Sequence, residues 1–509
     1  MDGHQPNHFG KIRENKEEEH TFMAEIEWKP QKNSTVSLHQ QITAYMKTKI
    51  QHGEWTIGMK LPSQRNLAKQ FQVNRSTIVA VLEELAADGL MEAKVGSGTK
   101  IINNTWGLLA ATPPPDWISY VKSGIHQPNI SIIQEINKAE ANPHMIRLGT
   151  GELSPELLPK GRMEETFQFN EKQSLSLGYT EPKGSFALRQ TVSAYLSKKG
   201  IIASSESILI VSGGLQALQL LSIGLLKRGS TIFHETPSYL NSIHVFQSAG
   251  MHLLGLPLDE EGVTFDTIGR LKKQHKAGLL YTIPNFHNPT GIVMSERRRK
   301  DLIAVSQMEK IPIIEDDVYG DLWLDIPPPK PLKAHDFQGN VLYIGSMSKS
   351  LSPGLRIGWI VGPEAVIGHL ADIKMQTDYG SSTLSQFAVE KWLSKGWYEE
   401  FLINIRDELR HRRDFTNELL KKYFSDIATW TLPKGGFYIW LKLKLSISSQ
   451  RLFSLALKDG ILINPGIVYD KTDDQHLRLS YSYASFDELE RGLIALAQII
   501  KREARRRFY

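Results

Sequence analysis

The stretch Val341-Leu342-Tyr343-Ile344-Gly345-Ser346-Met347-Ser348-Lys349-Ser350-Leu351-Ser352-Pro353-Gly354-Leu355-Arg356-Ile357-Gly358-Trp359-Ile360-Val361 decides the fold. Two short apolar runs, residues 341–344 and 357–361, flank a polar loop. Runs of this length, rich in β-branched and aromatic residues and bounded by Gly, Ser and Pro, read as strands. The pattern recurs upstream at residues 208–211, 231–233, 279–282 and 311–314, with helical stretches between the runs. Strands that alternate with helices imply an α/β architecture, a mostly parallel sheet covered by helices. Polar clusters close five of the runs: Ser212-Gly213-Gly214, Glu235-Thr236-Pro237, residues 285–291, Glu315-Asp316-Asp317 and Ser346-Met347-Ser348-Lys349. Ligands of such sheets bind beyond the carboxyl ends of the strands, so these clusters outline a candidate site.

The loop after residue 345 carries its own chemistry. Lys349 stands among the hydroxyls of Ser346 and Ser348, and Arg356 follows downstream. An aldehyde cofactor bearing a phosphate requires this set: an amine for a Schiff base, and hydroxyls with a guanidinium for the phosphate. Asp316 ends a neighbouring run, where a carboxylate pairs with a pyridinium nitrogen and keeps the ring electron-accepting. Asn288 and Tyr319 are candidates for hydrogen bonds to the ring's phenolic oxygen, and Tyr239 for stacking on its face. Gly213-Gly214-Leu215 opens a helix whose free N–H groups suit a phosphate. Singly, each has a plainer use: Lys349 on the surface, Asp316 capping a turn, Tyr239 in the core, residues 289–291 as a β-turn. Together they specify one cofactor.

A different pattern precedes this body. Leu38, Ile42, Tyr45 and Met46 recur at helical spacing. Ser63 is an N-cap for a short helix that keeps Leu67, Ala68 and Phe71 inside. Gln72-Val73-Asn74 turns the chain into a second helix from Arg75 to Asp88, with Ile78, Val81, Leu82 and Leu85 inward. Residues 91–101 read as two strands around Gly96-Ser97-Gly98, which completes a winged helix-turn-helix. Asn74, Arg75, Ser76 and Thr77 open its second helix, where short polar side chains reach phosphates or base edges and Arg75 forks onto a guanine. Arg65 is placed to clamp the backbone, and Gly96 lets the wing approach a groove closely. Between Lys29 and Thr105 basic residues (Lys29, Lys32, Lys47, Lys49, Lys60, Arg65, Lys69, Arg75, Lys94, Lys100) outnumber acids (Glu54, Glu83, Glu84, Asp88, Glu92), which suits double-stranded DNA.

The 509-residue chain, 41% hydrophobic and 23% charged, has material for a large core and about three structural units. It contains no cysteine, which removes disulfides, thiolate metal sites and thiol catalysis. No apolar run approaches the roughly 20 residues that cross a bilayer, and no signal-peptide core opens the chain, so a cytoplasmic protein is expected. His4, His8 and His20 fit no metal-ligand spacing, and no metal site is expected. The expected organisation is a disordered tail at 1–33, the winged module at 34–103, a linker at 104–145 and the large body at 146–509. Part of the linker, around residues 130–136, has the pattern of a docked helix.

Leu61-Pro62-Ser63-Gln64-Arg65-Asn66-Leu67-Ala68, Val73-Asn74-Arg75-Ser76-Thr77-Ile78 and Gly96-Ser97-Gly98-Thr99 together resemble the winged helix-turn-helix of the GntR regulators. Val79 and Ala80 stand where many members carry a further arginine, which is similar to the MocR branch, whose effector domain is aminotransferase-like. The body is similar to fold-type I pyridoxal-phosphate aminotransferases at Tyr179-Thr180-Glu181-Pro182-Lys183-Gly184, Ser212-Gly213-Gly214-Leu215-Gln216-Ala217 and Pro284-Asn285-Phe286-His287-Asn288-Pro289-Thr290-Gly291. The similarity continues at Glu315-Asp316-Asp317-Val318-Tyr319, Ser346-Met347-Ser348-Lys349, Gly354-Leu355-Arg356-Ile357-Gly358 and His476-Leu477-Arg478-Leu479-Ser480. The resemblance implies pyridoxal 5'-phosphate on Lys349, with Asp316 on the ring nitrogen and Arg478 on a substrate α-carboxylate. It also implies a smaller C-terminal α/β subdomain, and a homodimer in which Tyr179 reaches the phosphate of the other subunit. Gly214 and Leu215 stand where relatives often carry Ser and Gln, so backbone N–H contacts are expected there instead.

Both halves in one chain imply a transcriptional regulator that binds an operator and senses pyridoxal phosphate, a small amine or amino acid, or an adduct of the two. A working aminotransferase with an accessory DNA-binding domain is the alternative, and a cofactor store without a DNA target is a third.

Overall fold

The computed structural model describes residues 26, 28–94, 98–103, 115–124, 129–168, 178–275 and 277–506. Most of the expected tail, and Gly96 at the turn of the wing, lie outside the described residues. The chain forms two compact units, Met1–Ile125 and His126–Tyr509. Among the described residues no helix is long and apolar enough to cross a membrane.

In the first unit, α1 (Leu38–Gln51) starts at Ser37, whose side chain accepts from Gln40 N while the Gln40 side chain returns to the cap backbone. α2 (Gln64–Phe71) is capped by Ser63 and ends where Gln72 adopts a left-handed conformation, φ 55°. α3 (Arg75–Ala87) follows within three residues. The hairpin β1 (Met91–Lys94) and β2 (Gly98–Ile101) pairs antiparallel, Met91 opposite Ile101. Ile42, Met46, Leu67, Phe71, Ile78 and Leu85 share one core. Order reaches into the expected tail: Trp28 stacks on Tyr45 with ring centroids 4.6 Å apart and planes 9° from parallel.

The expected linker is partly structured. It holds α4 (Trp117–Ser123) and α5 (Ser131–Glu140), and α5 buries Ile132, Ile133, Ile136 and Ala139 in the large core. The second unit therefore begins ahead of residue 146. This is the docked helix expected around residues 130–136, and the core it joins draws both on nearby residues such as Met145 and Leu148 and on distant ones such as Ile461.

The large sheet contains β3 (Ile208–Val211), β4 (Thr231–Thr236), β5 (His252–Asp259), β6 (Gly262–Val263), β7 (Ala277–Thr282), β8 (Ile313–Asp316), β9 (Val341–Ser346) and β10 (Gly358–Val361). Its order is β3-β10-β9-β8-β7-β4-β5-β6. The pairs are parallel from β9 through β5, while β10 and β6 run antiparallel to their neighbours. Both faces are buried, and successive residues serve different cores. Leu209, Val211, Leu342, Ile344 and Ile360 pack on one face, and Ile208, Ile210, Tyr343, Trp359 and Val361 on the other. β5 has no counterpart in the sequence reading, because Gly255 and Pro257 interrupt its run and its outer position leaves it half exposed.

The C-terminal subdomain has a four-stranded antiparallel sheet: β11 (Ala428–Thr429), β12 (Tyr438–Leu443), β13 (Asn464–Pro465) and β14 (His476–Ser480), in the order β11-β12-β14-β13. The long helices Trp397–Phe424 and Phe486–Arg506 belong to the same region.

Trp28→Ala is expected to cost about 1–3 kcal/mol in the first unit's own unfolding transition, through lost burial and stacking. Calorimetry of the full chain should show that transition falling by several degrees while the second unit's melting stays in place.

Candidate functional site

The register of the large sheet builds the site. Ile344 pairs with Asp316, and Ser346 and Val211 both pair with Gly358, so three strands end side by side. Residues 212–214 and 347–349 leave from these ends. The result is a cavity of about 870 Å³ lined by Gly214, Leu215, Tyr239, Asn288, Asp316, Tyr319, Ser346, Ser348, Lys349, Arg356 and Arg478. Every cavity residue read from the sequence lies in that wall except Tyr179. Tyr179 is 82% exposed, away from its own chain's cavity, with its ring 4.9 Å from that of Tyr379.

The doublet Asp316-Asp317 is split by strand alternation. Asp317 turns away from the cavity and is satisfied by Asn285 Nδ2 at 2.7 Å and Tyr343 Oη at 2.9 Å. Asp316, 4% exposed, faces the cavity. Its Oδ2 accepts from Tyr281 Oη at 2.7 Å, while its buried Oδ1 has no donor among the described residues. Burial pushes its pKa up to about 6, opposed by the Tyr281 bond.

Lys349 Nζ donates to Gly151 O at 2.7 Å. Arg356, with φ 52°, extends Nη2 to Ser212 O at 2.7 Å and Nη1 to Ser348 Oγ at 3.3 Å. The helix Gly214–Leu225 has Gly213 as N-cap with no side-chain bond, so its first N–H groups stay open beside Arg356. Leu215 is half exposed and offers only backbone to a polar ligand. Burial raises the pKa of Tyr239 and Tyr319, leaving both phenols neutral donors, and Tyr319 Oη lies 2.9 Å from Tyr438 Oη.

Arg478 is 6% exposed and lies over the rings of Tyr438 and Tyr469, 4.1 and 4.8 Å from their centroids. Nη1 donates to Asn288 Oδ1 at 2.9 Å and Nη2 to Gly149 O at 2.7 Å. The Asn464 amide oxygen, in the orientation that satisfies its neighbours, accepts from Nη2 at 2.7 Å and from Tyr469 Oη at 3.0 Å. Nε has no partner, and no carboxylate among the described residues pairs with this guanidinium. Burial disfavours the charge, but the surrounding tyrosines outweigh that and raise the pKa. Tyr281, Tyr438, Tyr469, Asn464 and the Gly149–Gly151 segment were missed from sequence, since each arrives from a distant strand or loop with no motif around it.

In the first unit, Arg65, Asn74, Arg75 and Ser76 are exposed and Thr77 is half buried. Arg75 Nη2 donates to Gln64 Oε1 at 3.1 Å, which links α2 to the start of α3. Asn74 makes no capping bond, and the first turns of α2 and α3 hold no acid. The acids gather elsewhere: Lys47 Nζ pairs with Asp88 at 2.6 Å and Glu84 at 3.5 Å, and His39 lies 3.3 Å from Glu84. An uncapped helix start with an arginine and no acid attracts anions.

Comparison with known proteins agrees with this division. Residues 143–496 match the family Aminotransferase class I and II, and residues 38–101 match the bacterial regulatory proteins of the gntR family. The chain belongs to the class I and II aminotransferase family and joins to that fold a GntR DNA-binding domain, the arrangement of MocR-type transcriptional regulators. It is 56% identical over 476 residues to YisV, an HTH-type transcriptional regulator of Bacillus subtilis, covering 94% of this chain and 98% of that protein. It is 36% identical to the HTH-type transcriptional regulator NorG of Staphylococcus aureus, covering 87% of this chain and all of that protein. Among solved structures, a kynurenine aminotransferase of Pyrococcus horikoshii superposes with TM-score 0.70 at 31% identity, covering 74% of this chain and 96% of that one. LysN, an α-aminoadipate aminotransferase of Thermus thermophilus, gives 0.69 at 28% identity, covering 76% and 98%. The family implies pyridoxal 5'-phosphate as cofactor, and the orphaned Asp316 Oδ1, opposite an amine and an anion cradle, fits it.

The Asp316 carboxyl is raised from 3.8 to about 6 in the fold, so the native state holds its proton over that window and loses stability as pH rises through it. Asp316→Asn removes this titration. On going from about pH 4 to about pH 8 the cofactor-free variant should gain up to about 3 kcal/mol over wild type, measured by denaturant unfolding.

Proposed function

We propose that this chain is a cytoplasmic, pyridoxal phosphate-linked transcriptional switch, in which a small amine or amino acid entering the cofactor pocket alters the grip of the winged module on an operator. The observation that carries the reading is the grouping of Asp316 Oδ1, a buried acceptor lacking a donor, with Lys349, Arg356 and an Arg478 that has no carboxylate partner among the described residues, around one cavity. When bound, the cofactor supplies an aldehyde that condenses with an amine, with loss of one water, and a ring that draws electrons. Lys349 is the amine, and Asp316 accepts from the ring nitrogen. Asn288 and Tyr319 serve the phenolic oxygen, and Tyr239 covers the ring face. Ser346, Ser348, Arg356 and the N–H groups at Gly214 and Leu215 hold the phosphate. Arg478 takes a carboxylate on the effector. The exposed Tyr179 serves the site of a second copy, and the homodimer presents two winged modules to two half-sites.

In the winged module, Arg75, Asn74, Ser76 and Thr77 enter the major groove, and Arg65 and the wing at Gly96 hold the backbone. An effector acts only through its unequal affinity for two arrangements of the protein, typically about 1–3 kcal/mol of coupling.

A second reading, catalytic transamination beside DNA binding, is favoured by the completeness of the site, Arg478 above all. Repeated turnover with a keto-acid acceptor supports it; a response of operator affinity without turnover supports the switch.

Lys349→Ala should abolish the visible absorption of the cofactor-loaded protein while leaving operator binding by the cofactor-free form intact; a persistent band would remove Lys349 from its role. Arg75→Ala should weaken binding to the DNA upstream of the gene by about 1–3 kcal/mol without altering that absorption, as read by titration at fixed salt.

A further inference from the structure

Three consecutive residues each hold a different part of the cavity wall. Gly149 O accepts from Arg478 Nη2 at 2.7 Å, and Gly151 O accepts from Lys349 Nζ at 2.7 Å. Between them, the buried Thr150 donates from Oγ1 to Glu140 Oε1 at 2.8 Å, in the last turn of α5. The segment is anchored on both sides, since Leu148 O accepts from Ser480 N at 2.6 Å and Glu152 O accepts from Ser482 Oγ at 2.7 Å. It also lies without slack. A side-chain carbon at Gly149 would stand 2.5 Å from the Asn464 side-chain amide, and one at Gly151 2.1 Å from Tyr438 Oη, so only glycine brings these carbonyls in. In so close a fit, a shift at either carbonyl moves the tripeptide as a unit.

α5 connects this segment to the rest of the chain. Ile133, Ile136, Asn137 and Glu140 line the same cavity. The chain runs from the start of α5 back to the unit that carries the helix-turn-helix through only a few residues. Filling the cavity alters both outer bonds. A Lys349 nitrogen committed to a C=N bond no longer presents an ammonium to Gly151 O. A carboxylate taken by the Nε–Nη2 edge of Arg478 competes with Gly149 O for Nη2. The bond from Thr150 to Glu140 is what remains to carry the difference.

We propose that Thr150 is a positioning residue that passes the state of the cofactor and effector pocket, through Glu140, to helix α5 and so to the connection with the DNA-binding unit. This rests on the cofactor-linked switch proposed above. One hydrogen bond to an acidic acceptor shifts an equilibrium on the order of tenfold, within the roughly 5–150-fold range typical of coupled sites.

The test compares full-length wild type, Thr150→Val, which keeps the shape and removes the donor, and Thr150→Ser, which restores the donor. Each is measured with and without pyridoxal phosphate, by visible absorption, hydrogen exchange over α5, and affinity for the DNA upstream of the gene. All three proteins are expected to show the absorption band. In wild type and Thr150→Ser, loading speeds exchange in the last turn of α5 by about threefold or more. In Thr150→Val that turn exchanges fast from the outset, loading leaves it unchanged, and the effect of loading on DNA affinity falls by about threefold or more. Should Thr150→Val fail to load, Glu140→Ala breaks the same bond from the helix side and is expected to give the same result. Equal responses in wild type and the bond-breaking variant overturn the inference, as does a loaded wild type with unaltered exchange at α5. A wild type without the band overturns the cofactor reading itself, and one that loads without any change in DNA affinity overturns the switch, so the failures are distinguishable.

Discussion

Two ionisable groups of opposite sign line one cavity, each with one buried atom that has no partner among the described residues, and the larger unit is arranged around that constraint. Asp316 Oδ1 lacks a donor, and Arg478 Nε lacks an acceptor. An unpaired buried charge costs several kcal/mol, so a fold retains two of them only when a network holds them and a ligand completes them. The network is visible. Tyr281 holds one oxygen of Asp316 and so aims the other. Arg478 is wedged between two tyrosine rings and three oxygen acceptors. A ligand with a cationic ring nitrogen at one end and a carboxylate at the other would complete both, as the proposed switch requires.

Much of this was legible because of how parallel sheets are built. A strand buried on both faces is a short apolar run, and its polar neighbours fall at the end where ligands bind, so chemistry and topology share the same few residues. Lys349, Asp316 and Arg356 were readable for that reason. Tyr281 was not, since within β7 it looks like one more core aromatic, and only register places its hydroxyl on Asp316. Gly149-Thr150-Gly151 carries no periodicity, and its meaning comes from carbonyls whose partners lie nearly 200 and more than 300 residues away. Trp28 lay in a polar context that reads as tail, and its stacking on Tyr45 depends on a tertiary contact. α5 was the intermediate case, legible as a docked helix around residues 130–136 but not in the contact of Glu140 with Thr150.

The energetic scale of the proposed switch follows from these contacts. Coupling of a few kcal/mol is a small fraction of the interactions in the cavity wall, so no large rearrangement of the core is needed. The sheet, with both faces packed, is the stiff part. The carbonyls of Gly149 and Gly151 are held by Arg478 and Lys349, side chains that line the cavity, so the proposed switch acts on these two bonds rather than on the sheet. The same geometry is compatible with catalysis and with signalling. What separates them is whether motion of the wall is transmitted along the chain, and among the described residues α5 is a wall element near the start of the second unit.

In the first unit, charge placement does the corresponding work. Glu84 and Asp88, near the end of α3, pair with Lys47 of α1, and Glu84 also lies 3.3 Å from His39, so these two acids find their partners within the unit. The opposite end of α3 keeps its positive dipole, its free Asn74 and an Arg75 held by Gln64. Holding Arg75 to a neutral amide orients the guanidinium without quenching its charge, as a carboxylate partner would. Exposed cations next to a helix start are repelled by its dipole and lower the stability of the isolated unit. Their persistence there, with no acid in either first turn, is explained by an anion outside the protein, and a nucleic-acid backbone supplies one at the spacing of a helix lying in a groove.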